Sequence, residues 1–135
     1  MKSLASEYIH ELISESLDAI PFHSQVKWID RMVATNIPFH LAVHKITEAK
    51  ELPLEYVETH VHSSPELNII LGDDDTFLFR VHLGDEIHHV KSRSTIWIPA
   101  GLNHSIMAIN GSGYYICLIL KEKADVTYES LTGQS

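Results

Sequence analysis

The sequence predicts an all-β, single-domain chain with two N-terminal α-helices, and three observations carry that expectation. From Phe39 onward, short runs alternate apolar and polar side chains with a period of two, the signature of half-buried strands. Turn-forming clusters separate those runs at short intervals: Ser63-Ser64-Pro65, Gly72-Asp73-Asp74-Asp75, Gly84-Asp85, Pro99-Ala100-Gly101 and Asn110-Gly111-Ser112-Gly113. The chain has 135 residues with no internal repeat and no linker, so it forms one domain large enough to bury a core without disulfides.

The N-terminal arm reads as helical. Ser3 can cap a first helix with Glu7 in its first turn, and Ile9, Leu12, Ile13, Leu17 and Ile20 recur at three- and four-residue spacing until Pro21 stops it. Ser24 can cap a second helix with Val26, Ile29, Met32 and Val33 on one face and Trp28 beside it, closed by Asn36 and Pro38. Residues 1–37 are therefore expected to be a helical extension packed on the following domain, with a lid or a dimer contact as the sharper alternatives. Residues 38–122 carry the strands, and residues 123–135 form a polar tail that Tyr128 and Leu131 can fasten.

The first strand, Phe39 to Ile46, places Phe39, Leu41 and Val43 on one face and His40, Ala42, His44 and Ile46 on the other. The first set suits burial better, so His40 and His44 are expected to face outward or lie at a sheet edge; the opposite register would turn both imidazoles inward. In the next strand His60 and His62 are two apart and point the same way, together with Tyr56 and Glu58. After the turn at residues 63–65, Glu66 opens the strand ELNIIL, and Asn68 shares its face. His104, beyond the turn at 99–101, can join the same spot.

The order HxHxxxE followed by PxGxxHxxxxxN resembles the two motifs of the cupin superfamily, over roughly residues 54 to 120. The resemblance implies a jelly-roll, an antiparallel β-barrel whose two motif strands pair around one interior metal. It puts the metal ligands on His60, His62, Glu66 and His104, the turn residues on Pro99 and Gly101, and the closing Asn on Asn110. Leu54 and Arg93 stand where the motifs usually open with glycine, Gly72 comes one residue early, and Asn110 lies further from His104 than is usual. A homodimer is implied by the same resemblance.

Downstream, Phe77, Phe79 and Val81 share one face of a strand, and Leu78, Arg80 and His82 the other. Arg80 reads as a surface cation. His88 and His89 are neighbours, face opposite ways and read as non-ligands. The aspartates at 73–75 form a solvated turn, because adjacent carboxylates do not converge on a cation. The glycines at 111 and 113 predict a tight turn, and YYICLIL (residues 114–120) the last strong strand.

Three neutral imidazoles and one carboxylate suit a divalent transition metal: Fe(II), Mn(II), Co(II), Ni(II) or Zn(II). A closed structural zinc site usually recruits cysteine, and Cys117, the only one, sits in an apolar run as core filler. Histidines merely filling the interior would bury four polar groups uncompensated, at several kcal/mol.

These features predict a metal-dependent enzyme acting on a small carboxylate that chelates the metal, by dioxygenase or by lyase or isomerase chemistry. Tyr56, Glu58 and Asn68 are the available acid–base or orienting groups. No obvious strong base faces the metal, which favours oxygen chemistry and Fe(II). The alternative is a module that binds a small metabolite through the metal without turnover.

The net charge of −8 and the scattered lysines speak against nucleic acid. The absence of a long apolar segment or signal-peptide core speaks against membrane insertion or export, which leaves the cytoplasm as the expected compartment.

Overall fold

In the computed structural model, residues 3–52, 55–121 and 128–130 are described. The fold is almost entirely antiparallel sheet, and the expectation of two N-terminal helices is corrected to one short one. Helix α1 spans Leu4–Tyr8, capped by the Ser3 hydroxyl, which accepts from the Ser6 amide at 3.1 Å, and none of its residues is buried. A five-residue helix without an apolar partner has no means of propagating, which is why the periodic Ile9, Leu12 and Ile13 do not extend it. The chain instead runs through a two-residue strand β1 (Ile13–Ser14) and a 3₁₀ turn (Leu17–Ala19) that buries Leu17.

The second expected helix is strand β2, Ile29–Val33. Ile29, Arg31 and Val33 are buried while Asp30 is exposed and Met32 half-buried, a period of two. A charged residue at the centre of the buried face hides that period, because a hydropathy pattern scores Arg31 as outward. Residues 1–37 thus contribute strands to the sheet: β2 pairs with β1 on one edge and with β3 (His40–Lys50) on the other.

The remaining strands are β4 (His60–His62), β5 (Glu66–Leu71), β6 (Leu78–Leu83), β7 (Glu86–Lys91), β8 (Ser94–Ile98), β9 (His104–Ile119) and β10 (Tyr128–Ser130). The long β9 holds the architecture together. Its first part pairs with β6, and with β4 at His104; its second part lies between β3 and β5. β8 extends the sheet beyond β5, β7 beyond β6, and β10 beyond β4. Leu131 lies outside the described residues.

The turn expected at residues 110–113 is a kink inside β9. The register shifts by β3 residues Ile46/Ala49 and by Leu78/Phe79 of β6, where the chain passes from one half of the sheet to the other. Gly111 has φ +85°, and a Cβ there would sit 2.8 Å from the Phe77 Cα and the Thr76 carbonyl oxygen. Glycine serves a bulge for the same reason that it serves a turn, so the local signal does not separate the two. The Asn110 Nδ2 fixes the kink by donating to the Thr76 carbonyl at 2.7 Å.

The core forms on the predicted face of β6: Phe77, Phe79 and Val81 are buried with Ile70, Ile98, Met107 and Ala108. Strand β3 takes the opposite register from the one expected. His40, Ala42, His44 and Ile46 are buried, and Leu41 and Val43 are half-buried on the outer face. The apolar count misleads here because this interior holds polar side chains around a cavity.

Candidate metal centre

His60 and His62 enter the interior from β4, Glu66 from β5 and His104 from the start of β9. His60 and His104 are direct cross-strand partners. One ring nitrogen of each histidine lies within 4.8 Å of the others, and all three side chains are buried. Glu66 Oε1 stands 3.0 Å from His62 Nε2 and 4.0 Å from His104 Nε2.

The backbone fixes the tautomers. Nδ1 of His60 contacts the Glu58 carbonyl at 2.7 Å, Nδ1 of His62 the Ser64 carbonyl at 2.8 Å, and Nδ1 of His104 the Leu102 carbonyl at 2.8 Å. A carbonyl only accepts, so each Nδ1 carries the proton; Nε2 of His60 and of His104 presents a lone pair, whereas Nε2 of His62 donates to the Glu66 carboxylate at 3.0 Å and would give up that proton to a metal. Each carbonyl belongs to a residue two positions away, so the strand ends themselves orient the rings.

Electrostatics keep the set ready for a cation. Burial pushes His60 down to about 4, more than its carbonyl contact can offset, and burial also lowers His104. Those two rings are neutral near neutral pH. Burial alone would raise Glu66, but the His62 hydrogen bond and the neighbouring histidines outweigh it and hold the carboxyl at about 2. His62 is pulled upward against its burial by the same Glu66 contact.

Among the described residues the three histidines alone form the cluster that could hold a metal ion, and Glu66 Oε1, 3.0 Å from His62 and 4.0 Å from His104, stands beside two of them at separations that ligands about 2.1 Å from one centre also keep.

The three expected acid–base groups have different fates. Glu58 does not reach the site: it is exposed and contributes only its carbonyl. Strand β4 begins at His60, so the alternation does not extend back to residue 58; the Glu58 amide donates instead to the Phe22 carbonyl at 2.9 Å. Tyr56 is buried and lines the cavity, with its hydroxyl oxygen accepting from the Ala108 amide at 2.7 Å. Burial raises its pKa, so it keeps its proton. Asn68 is fully buried, and its Nδ2 donates to Glu66 Oε2 at 2.8 Å while its Oδ1 has no partner among the described residues. Its observed contact is with the carboxylate.

A cavity of about 50 Å³ opens beside these residues, bordered by His60, Glu66, His104, His44, Tyr56 and Tyr128 among others. By the same measure one water requires roughly 10–15 Å³, so the space suits a ligand of a few heavy atoms. Tyr128, on β10, lies over the cluster with its ring 5.6 Å from His62 and 6.0 Å from His60. Phe22 stacks on His60 at 5.8 Å, held there in a left-handed backbone conformation (φ 68°) that a bulky residue seldom adopts.

No protein-family model matches the sequence, and no curated protein matches it. Solved structures do resemble the fold. A RmlC-like cupin from Shewanella frigidimarina aligns at TM-score 0.54 and 12% identity over 76% of this chain and 85% of its own. A cupin-2 domain protein from Rhodospirillum rubrum aligns at TM-score 0.56 and 13% identity over 91% of this chain and 77% of its own. This is a cupin fold. Oxalate decarboxylase from Bacillus subtilis also aligns, at TM-score 0.55 and 17% identity over 89% of this chain, but the match spans only 32% of the decarboxylase.

Within this cupin barrel the sequence-based expectations missed three interior groups. His40 and His44 face inward with Ala42 and Ile46. Burial drives His44 down to about 3, although its Nδ1 meets the Tyr115 carbonyl at 3.0 Å. Arg31 is buried on β2, with Nη1 2.7 Å from Glu15 Oε1, while Nε and Nη2 have no acceptor among the described residues. Each unpaired buried donor costs about 1–3 kcal/mol. The one signal that points to it is the alternation Ile29, Arg31, Val33, which a strand reading exposes and a helix reading conceals.

Proposed function

We propose that this cupin is a metal-dependent enzyme acting on a small carboxylate metabolite that chelates the metal, by dioxygenase or by lyase, isomerase or decarboxylase chemistry. The observation that carries it is the buried cluster of His60, His62 and His104 with the ionised Glu66 against two of them, beside a small cavity that His60, Glu66 and His104 line. His60, His62, Glu66 and His104 would hold the metal, with Fe(II) favoured and Mn(II), Co(II), Ni(II) or Zn(II) as alternatives. When bound, such a metal supplies Lewis-acid polarisation and, for iron, electron exchange with dioxygen.

The chain's own residues do the rest. Asn68 holds Glu66 in orientation, Tyr128 and Phe22 shield the cluster from bulk water, and Tyr56 keeps a proton at Oη on the cavity wall. The mixture of histidine, tyrosine and cysteine around the cavity supports turnover over passive capture, which would need only apolar walls. The small cavity and the fold shared with an oxalate decarboxylase support a small acid as substrate. The exposed apolar side chains Leu4, Tyr8, Ile9, Leu12 and Ile13 suit a homodimer contact.

The test is elemental analysis of protein purified without added metal, paired with His62→Ala, followed by oxygen uptake and product analysis on a panel of small carboxylates. One metal per chain, lost in His62→Ala, with turnover of at least one acid, is the expected result. Unchanged metal content in His62→Ala overturns the ligand assignment. Retained metal and ligand binding without turnover across the panel leaves a binding module.

A further inference from the structure

Arg31 is the only arginine or lysine buried among the described residues, and the four ligands proposed above make no use of it. It stands on the inner face of β2 opposite His44 of β3. Strands β2, β3, β9 and β5 are consecutive neighbours spanning about 14 Å, and Arg31 lies level with His44, Tyr115 and Ile70, four residues along from the row of His40, Ile119 and Glu66, on a sheet that curls round the interior. A depression of about 320 Å³ lined by Arg31 shares Ile20, His40 and Tyr128 with the cavity beside the metal ligands, so those three side chains are the partition between them.

The unpaired atoms carry chemical information. Glu15 takes Nη1, and the donors left over, Nε and Nη2, form one edge of the planar guanidinium. That edge presents two parallel N–H bonds, the geometry that receives both oxygens of one carboxylate. His44, the partner of Arg31 on β3, does not take the role: it is neutral and donates its Nδ1–H to the Tyr115 carbonyl. A guanidinium retained in this interior with a free fork is a poor structural element, because an apolar side chain would fill the space without orphaned donors.

We propose that the Nε–Nη2 edge of Arg31 binds the distal carboxylate of the substrate, which makes the substrate class a small dicarboxylate with its other end on the metal. This rests on the metal-dependent reading of the site and adds the second anchor. The ligand reaches Arg31 by displacing the Tyr128–His40 partition, since the free nitrogens are closed to solvent in its absence.

The experiment is calorimetric titration of the metal-loaded full chain with malonate and with malonamate, its monoamide, in wild type, Arg31→Lys and Glu15→Gln, alongside metal analysis and circular dichroism. Wild type is expected to prefer malonate by tenfold or more. Arg31→Lys, which keeps the charge but not the fork, should lose most of that preference at unchanged metal content. Glu15→Gln leaves Arg31 in place and removes its competing carboxylate, so it should bind malonate several-fold tighter; unchanged binding there would mean that Arg31 serves the ion pair alone. Equal affinity for malonate and malonamate in a wild type that holds metal overturns the Arg31 site and spares the metal reading. A wild type without metal overturns the metal reading, and the Arg31 site then stands or falls on whether malonate binding to that metal-free protein depends on Arg31.

Discussion

The interior has two polar walls that end differently. On the β4–β5 wall the side chains are locked from behind: outer ring nitrogens meet backbone carbonyls and Glu66 is held by Asn68 and His62, so what remains facing the cavity is the lone pairs of His60 and His104 and the negative charge of Glu66. On the β2–β3 wall Arg31 is held at one nitrogen only and keeps two N–H groups without acceptors. One wall gathers acceptors and negative charge; the other keeps donors and positive charge. Burial alone does not explain such a pair, because the same fold could have filled both positions with apolar side chains.

The strongest way to break the comparison is at the β4–β5 wall. His60→Ala or His104→Ala should lower metal affinity by at least 100-fold. The metal-dependent gain in stability, about 2.7 kcal/mol at a hundredfold excess over the dissociation constant, should vanish with it in a thermal scan with and without added metal. An unchanged shift in either variant would remove that residue from the ligand set. The next largest effect belongs to β9, which serves both walls. Gly111→Ala forces a side chain into φ +85° and against the backbone of Phe77 and Thr76, and should cost about 3 kcal/mol in urea denaturation. A cost below about 1 kcal/mol would mean that the kink yields.

How much of this was legible follows the same division. The spacing of His60, His62 and Glu66 exposes the β4–β5 wall because strand parity and a three-residue turn are local, and local rules survive in any fold. The core face of β6 is legible for the same reason. The other wall depends on pairing between β2 and β3, a contact that short-range periodicity does not encode. Ile29, Met32 and Val33 satisfy a helical spacing as well as a strand one, and only the hydrogen bonds offered by β3 settle the matter. Apolar count turns His40 and His44 outward, a rule that assumes a dry core. Tyr128 reaches the site through strand pairing with β4 from the other end of the chain, which residue spacing does not reveal.

Acid sharpens the contrast from the β3 side. Burial, aided by the Arg31 charge and opposed by the Tyr115 carbonyl, pushes His44 down to about 3. The unfolded chain therefore takes up this proton first as the pH falls, near 6.5, and the folded chain only near 3. The stability that His44 lends is complete above about 6.5 and drains away between those values, by on the order of a few kcal/mol. His44→Gln cannot titrate, so its unfolding free energy should fall less steeply over that interval in the metal-free protein. Equal slopes for the two proteins would show that His44 is hydrated in solution.

The smallest effect separates orientation from bulk. In Asn68→Leu the side chain keeps its size but gives up the hydrogen bond to Glu66, and it also removes a buried carbonyl oxygen that has no partner. The two changes oppose each other, so stability should move by less than about 1 kcal/mol. Metal affinity should nonetheless drop tenfold or more, because Glu66 Oε2 loses the donor that fixes its plane. A loss of stability with intact metal affinity would mean that Asn68 is packing, and that Glu66 is oriented by His62 and the strand alone.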